Sequence, residues 1–249
     1  MLTGRIYDRN SISLINPGDY NLIVFFTGAG MSAESGIPTY RGAGGVWHQY
    51  DWEEYACQNA FERNPEKVLE FHELRRSVIL ECKPHQGYIT ISKLQLQHQN
   101  IWIVTQNIDG MHQRAGNRNV VELHGSLWRL RCPQHGIHED YGPLYKTRKC
   151  PYCGCWLRPD ITWFEDIMDT SVLEKAGQLA CDADLFISVG TSGVVFPAAS
   201  LPVLAYESGA RTICINTEAP ENTTFFDQVI FGKAGEILGN MFSVDRQLT

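Results

Sequence analysis

The fold of this chain can be worked out from fourteen residues, Gly28-Ala-Gly-Met-Ser-Ala-Glu-Ser-Gly-Ile-Pro-Thr-Tyr-Arg41. They follow Leu22 to Phe26, a short apolar run that is typical of a buried parallel strand. Gly28, Gly30 and Ala33 satisfy the spacing G-x-G-x-x-G/A, in which residues without large side chains let the backbone approach a pyrophosphate at a helix N-terminus. The sequence therefore predicts a strand, a tight turn and a helix that could bind a dinucleotide.

Composition limits the classes to which the protein can belong. At 43% apolar and 20% charged residues, 249 residues suit a soluble globular protein with one large core, or one core with a smaller satellite. No apolar run approaches the roughly 20 residues that span a bilayer, and the first twenty residues lack the apolar segment of a signal peptide. We therefore expect a cytoplasmic protein with eight reduced cysteines and no membrane partner. The net charge of −7 argues against nucleic acid and suits basic, lysine-bearing substrates.

Apolar runs and helical patterns alternate along the chain. Strands are predicted at 22–26, 101–105, 185–189, 212–215 and 228–231, and helices at 65–80, 85–96 and 196–208. This alternation predicts an α/β fold with a doubly wound parallel Rossmann-like sheet. Gly28, Gln106, Gly190 and Asn216 each come just after a predicted strand, so the sequence predicts a nucleotide site beyond the carboxyl ends of the strands.

Two segments interrupt the alternation of strands and helices. We assign residues 37–80, which are helical, and 127–161, which resemble a metal ribbon, to a smaller domain. The large domain then comprises about residues 15–36, 81–126 and 162–249, and the two domains form a single unit over residues 1–249.

Further motifs accompany the glycine-rich stretch: Thr105-Gln-Asn-Ile-Asp-Gly110, His124-Gly125, Gly190-Thr191-Ser192, Asn216-Thr217-Glu218 and a cysteine-containing insert between 132 and 153. Together these motifs resemble the sirtuins, the NAD-dependent protein deacylases, over nearly the whole chain. The resemblance implies that NAD is bound by Gly28, Ala29, Gly30, Ala33, Glu34, Thr39, Tyr40, Arg41, Gln106, Asn107, Ile108, Asp109, Gly190, Thr191, Ser192, Asn216, Thr217, Glu218 and Ala234.

The resemblance also implies the roles of three polar residues. Asp109 would accept hydrogen bonds from the nicotinamide carboxamide, and Asn107 would hold the ribose and an ordered water. Taken alone, these two residues before Gly110 could equally form an Asx turn. His124 would be the general base, since an ordinary pKa near 6.5 suits removal of a proton from a ribose hydroxyl. A lone histidine after an apolar residue is otherwise more often a packed or exposed one.

The reaction that the resemblance implies needs no protein nucleophile. The acyl-lysine carbonyl oxygen attacks the nicotinamide ribose, nicotinamide leaves, and His124 then deprotonates the ribose. The ribose 2′-oxygen would then attack the acyl carbon, and water would release the lysine, so the products are nicotinamide, lysine and O-acyl-ADP-ribose.

Two pairs of residues have the spacing of a zinc ribbon: Cys132, His135, Cys150 and Cys153. We expect a structural zinc ion on these four ligands, because a saturated coordination sphere leaves no position for substrate. The family usually has four cysteines, so His135 departs from its pattern. His138 and Cys155 compete for that position, and a metal-free ribbon is the alternative.

The substrate class depends on a few residues of the helical segment. The run Arg41-Gly-Ala-Gly-Gly-Val-Trp47 resembles that of the class III sirtuins, which remove succinyl, malonyl and glutaryl groups. By this resemblance, Ala43 would widen the acyl pocket. In that class a Tyr-x-x-Arg pair binds the distal carboxylate, whereas this chain has His72 and Arg75. These two share a helix face and could together hold a carboxylate, although a solvated face is the commoner use of helical charge. With a pKa near 6.5, His72 would favour succinyl over acetyl substrates increasingly as the pH falls from 8 to 6.5.

Trp163 and Phe164 are the candidates for binding the peptide around the acylated lysine. The resemblance implies an exposed edge that pairs with the peptide by strand addition, and core packing between the two domains is the alternative. Glu165 stands where the family usually has glycine, and its charge could favour basic flanking sequence.

The sequence thus predicts an NAD-dependent protein-lysine deacylase that acts on acidic acyl groups, with acetyl as a further candidate. A general deacetylase and an ADP-ribosyltransferase on the same fold are the alternatives among enzymes. A non-catalytic NAD sensor is the alternative of another class, and the presence of a candidate base argues against it.

Overall fold

The computed structural model describes residues 13–40 and 44–242. Within them the strands are β1 Ile23–Thr27, β2 Ile101–Thr105, β3 Val120–Glu122, β4 Gly125–Cys132, β5 Gly136–Glu139, β6 Arg158–Ile161, β7 Leu185–Val189, β8 Arg211–Asn216 and β9 Gln228–Phe231. The α-helices are α1 Ala29–Ala33, α2 Val46–Gln49, α3 Trp52–Tyr55, α4 Gln58–Arg63, α5 Pro65–Glu81, α6 Gln86–Gln97, α7 Met111–Arg114, α8 Thr170–Asp182, α9 Leu201–Glu207 and α10 Ala234–Met241. Short 3-10 turns occur at Pro17–Asp19, Ala198–Ser200 and Thr223–Phe225.

Six strands form one parallel sheet in the order β3-β2-β1-β7-β8-β9. Every residue of β1 and β7 is buried, because helices cover both faces of a doubly wound sheet and leave no polar face. The predicted α/β fold with a parallel Rossmann-like sheet is therefore confirmed. Strand β3 was not predicted, since its three residues are half-buried at the sheet edge and too few to form a pattern.

Three further strands form an antiparallel sheet in the order β5-β4-β6, and this sheet carries the cysteine pairs. Helices α2 to α5 make up the other insert. A parallel sheet with a smaller cysteine-bearing domain is thus observed, while the domain boundaries proposed above stay a prediction.

The predicted helix at 196–208 begins later than expected. Residues Ala198–Ser200 form a 3-10 turn, and α9 starts at Leu201 with Pro202 in its first turn, where the missing N–H of proline is tolerated. Helix α8 was not predicted, although Asp169 caps it by accepting hydrogen bonds from the Ser171 and Val172 amides.

Helix α5 is attached to the antiparallel sheet by buried charge. The guanidinium of Arg76 is fully buried and lies 2.5 Å from the Asp140 carboxylate, and it also donates to the Gly142 carbonyl at 2.7 Å. One turn away, Arg148 donates to Glu73 at 2.6 Å. For the buried Arg76–Asp140 pair, removing one member would cost about 3–5 kcal/mol, because the other charge would stay buried without a partner. These contacts hold α5 at a fixed position against the sheet.

No helix among the described residues combines the length and the apolar character that crossing a membrane requires.

Candidate active site

A cleft of about 890 Å³ opens beyond the carboxyl ends of β1, β2, β7 and β8. Its walls include Gly28, Gln106, Gly190 and Asn216, each of which comes directly after one of these strands. Ligands of doubly wound sheets bind at this position, and the volume is in the range of pockets that enclose extended small molecules.

The glycines after β1 and β7 are needed for close packing of two loops. The Gly30 amide donates to the Gly190 carbonyl at 2.9 Å, and a Cβ on Gly30 would lie 2.7 Å from the Gly190 Cα. Gly190 has φ +63°, which residues with side chains rarely adopt. The spacing of Gly28 and Gly30 thus predicted the turn after β1 correctly. In addition, these glycines let the loops after β1 and β7 come into direct contact.

Most candidate residues line the cleft. Those described above as NAD-binding and found in its walls are Gly28, Ala29, Gly30, Thr39, Tyr40, Gln106, Asn107, Ile108, Gly190, Thr191, Ser192, Asn216, Thr217 and Glu218. His72, Arg75, His124, Trp163 and Phe164 line it as well. The cleft walls do not include Ala33, Glu34 or Ala234, and Glu34 instead accepts a hydrogen bond from the Gly235 amide at 3.0 Å. Arg41 and Ala43 lie outside the described residues.

Asp109 lies in a small pocket that shares Tyr40, Arg75 and Asn107 with the cleft. One carboxylate oxygen accepts from the Met111 amide at 2.8 Å, which is an Asx turn, and the other accepts from the Ser32 hydroxyl at 2.6 Å. Burial raises the pKa of Asp109, and the bonds from Ser32 and Met111 oppose this rise. The turn and the polar pocket therefore occur together, so the two interpretations of this residue do not exclude each other.

Asn107 is fixed by its side-chain amide. Its Nδ2 donates to the Gly28 carbonyl at 2.9 Å and to the Ser32 hydroxyl at 3.0 Å. The Ser32 hydroxyl also lies 2.7 Å from the hydroxyl of Tyr88 on α6, and the Tyr88 side chain is completely buried. Sequence reasoning missed Ser32 and Tyr88: the serine is within the glycine-rich stretch, but nothing in the sequence connects it with a tyrosine 56 positions later.

His124 is held in one tautomer. Its Nδ1 lies 2.9 Å from the carbonyl oxygen of Gln106, and because a carbonyl can only accept, Nδ1 carries the proton. Burial lowers the pKa of His124, while the bond to Gln106 partly opposes that shift. The imidazole is therefore neutral near pH 7, with Nε2 available to take a proton in the cleft.

His72 and Arg75 lie together in the cleft, but His72 is buried to a degree that the sequence did not indicate. It is 3% exposed, stacks on Trp163, and accepts a hydrogen bond from the Trp163 indole N–H at 3.2 Å. Burial, with smaller contributions from nearby arginines, Arg75 first, lowers the pKa of His72 to about 3. The expected pKa near 6.5 is therefore wrong for this residue.

Arg75 stacks on an aromatic ring in the wall of the cleft. Its guanidinium lies 4.5 Å from the centroid of the Tyr40 ring. Among the described residues, no carboxylate oxygen lies within 4.0 Å of a guanidinium nitrogen of Arg75, so Arg75 forms no ion pair with them. Its charge is thus available to an anionic ligand.

Trp163 and Phe164 differ in exposure. Trp163 is only 5% exposed and contacts both His72 and Arg158, whose guanidinium lies 3.9 Å from the centroid of the indole ring. This side chain therefore packs in the core rather than on an exposed edge. Phe164 is half-buried and packs against Trp52. A role of these residues toward a peptide stays a prediction.

Four side chains converge in the antiparallel sheet: Cys132, His135, Cys150 and Cys153. Their ligand atoms all lie within 4.8 Å of one another, and the Cys132 and Cys153 sulfurs are 3.6 Å apart. Tetrahedral zinc with Zn–S bonds of about 2.3 Å requires ligand separations of this size. The cluster contains His135 rather than His138 or Cys155, and it is compatible with structural zinc.

The comparisons with known proteins agree with this geometry. The family model for the Sir2 family matches residues 28–197. A relative from Aquifex aeolicus (strain VF5), named NAD-dependent protein deacylase, is 42% identical over 228 residues, which cover 90% of this chain and 95% of the relative. The structure is also similar to a Sir2 homologue in complex with NAD, with TM-score 0.82, 37% identity and coverage of 92% of this chain and 93% of that one.

A third similarity concerns a peptide complex. A Sir2 protein with a deacetylated p53 peptide and 3′-O-acetyl ADP-ribose aligns with TM-score 0.77 and 28% identity, covering 89% of this chain and 92% of that one. The family match extends over more than half of the chain, from the glycine-rich loop at residue 28 through the cysteine cluster to residue 197. This chain belongs to the Sir2 family, the sirtuins.

Proposed function

We propose that this protein is an NAD-dependent protein-lysine deacylase that removes acidic acyl groups, namely succinyl, malonyl and glutaryl. The observation that carries the proposal is the presence of Arg75 and His72 in the same cleft as the candidate base His124. The name of the A. aeolicus relative supports the general activity, and the peptide complex of a related Sir2 protein supports acylated protein lysines as partners.

NAD fits the cleft in size and in the chemistry of its walls. Backbone at Gly28 and Gly190 and the side chain of Asn216 would bind the phosphates and ribose, and Asp109 would accept hydrogen bonds from the carboxamide. When bound, NAD supplies a cleavable nicotinamide–ribose bond and the ribose that accepts the acyl group. Zinc would be held by the Cys3His cluster, where it would support folding and leave the chemistry to the cleft.

His124 would remove the proton from the ribose hydroxyl. The hydrogen bond from Nδ1 to the Gln106 carbonyl orients the ring and leaves Nε2 unprotonated, as a general base requires. Asn107 is held by Gly28 and Ser32, so its amide oxygen can orient a ribose hydroxyl or a water. The protein thus contributes position and a base, and needs no nucleophile of its own.

The acyl group would meet two different donors. Arg75 offers a charged guanidinium, which can bind a carboxylate through two parallel hydrogen bonds. Because the Trp163 N–H donates to His72 Nε2, the proton of His72 is on Nδ1, and this buried Nδ1 has no hydrogen-bond partner among the residues that the structure describes. An unpartnered buried donor is costly, and an acyl carboxylate would satisfy it. His72 can therefore replace the tyrosine of class III sirtuins as a neutral donor.

We expect the ratio of succinyl to acetyl turnover to stay flat between pH 8 and pH 6.5. With a pKa of about 3 in the free protein, His72 stays essentially neutral in this range, even though a bound carboxylate favours its protonated form. Steady-state kinetics with a succinyl and an acetyl peptide on the same enzyme check this. The protonation of His124 affects both substrates equally, so it cancels in the ratio. A ratio that rises steadily as the pH falls would show that His72 becomes charged.

The substitution Arg75→Met tests the acyl specificity. It keeps the length of the side chain but removes the charge, so we expect kcat/KM for succinyl and malonyl peptides to fall at least about tenfold more than for acetyl peptide. Arg118→Met, at an exposed arginine whose side chain does not line the cleft, is the control. Equal losses for acidic and acetyl substrates would argue for a general deacetylase instead.

A further inference from the structure

Glu165 has an unusual backbone conformation. It follows Trp163 and Phe164 in the wall of the cleft, and its φ is +69°. Among the described residues it is the only one other than glycine with a positive φ. Residues with a Cβ rarely adopt this left-handed region, and glycine does so freely. A glutamate is therefore present at a position where the backbone alone would favour glycine.

The described residues make no use of the charge of Glu165. Its side chain is exposed, and no hydrogen bond or ion pair to it occurs in the part of the chain that the structure describes. The next residue differs, because the Asp166 carboxylate accepts from the Arg158 guanidinium and from the Trp163 amide at 2.9 Å. Asp166 thus holds the loop together, and Glu165 presents an unneutralised carboxylate to the cleft.

The position of Glu165 indicates which ligand it faces. Trp163, two residues before it, contacts His72 in the cleft wall, whereas the exposed carboxylates of Glu218 and Glu221 belong to the loop after β8. A protein segment whose acylated lysine enters the cleft toward His72 and Arg75 would place its neighbouring side chains near the exposed rim. A carboxylate at that rim attracts cations and repels anions.

We propose that Glu165 is a specificity-determining residue, which selects a basic side chain within two residues of the acylated lysine. This inference rests on the proposed function. The substrates would then be acylated lysines in lysine- and arginine-rich segments. We expect a preference of about two- to fivefold at the favoured position, which corresponds to about 0.4–1 kcal/mol and lies within the range of partly exposed ion pairs.

The test uses two sets of short peptides, one with succinyl-lysine and one with acetyl-lysine, with alanine at all flanking positions. In each peptide one position within two residues of the lysine is changed to arginine or to glutamate. The ratio of kcat/KM for the arginine and glutamate peptides is measured for the wild type, Glu165→Gln and Glu165→Lys. Glu174→Lys is the matched control, because Glu174 is exposed on α8 and does not line the cleft.

We expect a ratio of about two to five at one position for the wild type and Glu174→Lys, near one for Glu165→Gln, and below one for Glu165→Lys. Raising the salt from about 0.05 M to about 0.5 M should reduce the wild-type ratio. Glu165→Gly should also abolish the preference while melting at or above the wild-type temperature, since glycine adopts this φ freely.

Two results would overturn the inference in distinguishable ways. If all variants deacylate the peptides with the same ratio at every position, Glu165 does not select the flanking residue although the proposed function holds. If no acylated peptide reacts with NAD, the proposed function fails, and the inference about Glu165 falls with it.

Discussion

Replacing His124 by alanine is expected to lower deacylation by about 10²- to 10⁴-fold while NAD still binds. Among the described residues that line the cleft, His124 is the only histidine whose Nε2 is free to accept a proton. The other histidine of the cleft, His72, accepts a hydrogen bond from Trp163 at its Nε2. The bonds of Asn107 and Asp109 do not involve His124, so the binding site for the nucleotide stays intact.

Single-turnover kinetics and calorimetric titration with NAD check this prediction. His48→Ala, at an exposed histidine that does not line the cleft, should behave like the wild type. Because burial lowers the pKa of His124, the base stays deprotonated from pH 8 down to the ordinary histidine range, and the rate should decline only below it. Turnover of the His124 variant within about tenfold of wild type would contradict the assignment of the base.

Loss of the metal is expected to have the largest effect on stability. Structural zinc contributes about 10–16 kcal/mol in isolated zinc-finger peptides, which is comparable with the whole stability of a typical domain. We predict close to one zinc per chain, lost in Cys150→Ser together with a large decrease in melting temperature. Elemental analysis and thermal unfolding measure both quantities.

Cys155→Ser provides the control for the metal site, because Cys155 is exposed and its sulfur is not part of the cluster. Loss of the antiparallel sheet would also break the ion pair between Asp140 and Arg76. This ion pair anchors α5, the helix that carries Arg75. Acidic-acyl selectivity should therefore fall along with stability. A metal-free protein with unchanged melting would mean that packing alone holds the ribbon.

The sheet and the position of the site could be predicted because both depend on local sequence. Apolar runs such as Ile101–Thr105 identify buried strands without knowledge of their neighbours. Polar and glycine residues after several parallel strands must then meet at one edge of the sheet, as Gln106 and Gly190 do. The short edge strand β3 carries no such signal, and its pairing with β2 decides its conformation.

The properties of individual side chains could not be predicted in the same way. The pKa of His72 depends on burial against Trp163, which lies 91 positions away in the sequence. The network around Ser32 likewise depends on Tyr88, which the packing of α6 brings to the cleft. Such contacts arise only when separate elements pack together, so a motif identifies the residues but not their protonation.

The most direct test of the account is a panel of otherwise identical succinyl-, malonyl-, glutaryl- and acetyl-lysine peptides, incubated with the wild-type protein and NAD. We predict that nicotinamide and the deacylated peptide are formed in equal amounts, and only when NAD is present. We also predict that kcat/KM for at least one acidic acyl group exceeds that for acetyl by about tenfold or more, because only the acidic groups give Arg75 a carboxylate. An acetyl peptide that reacts as fast as every acidic one, or ADP-ribose transferred to the peptide in place of acyl removal, would contradict it.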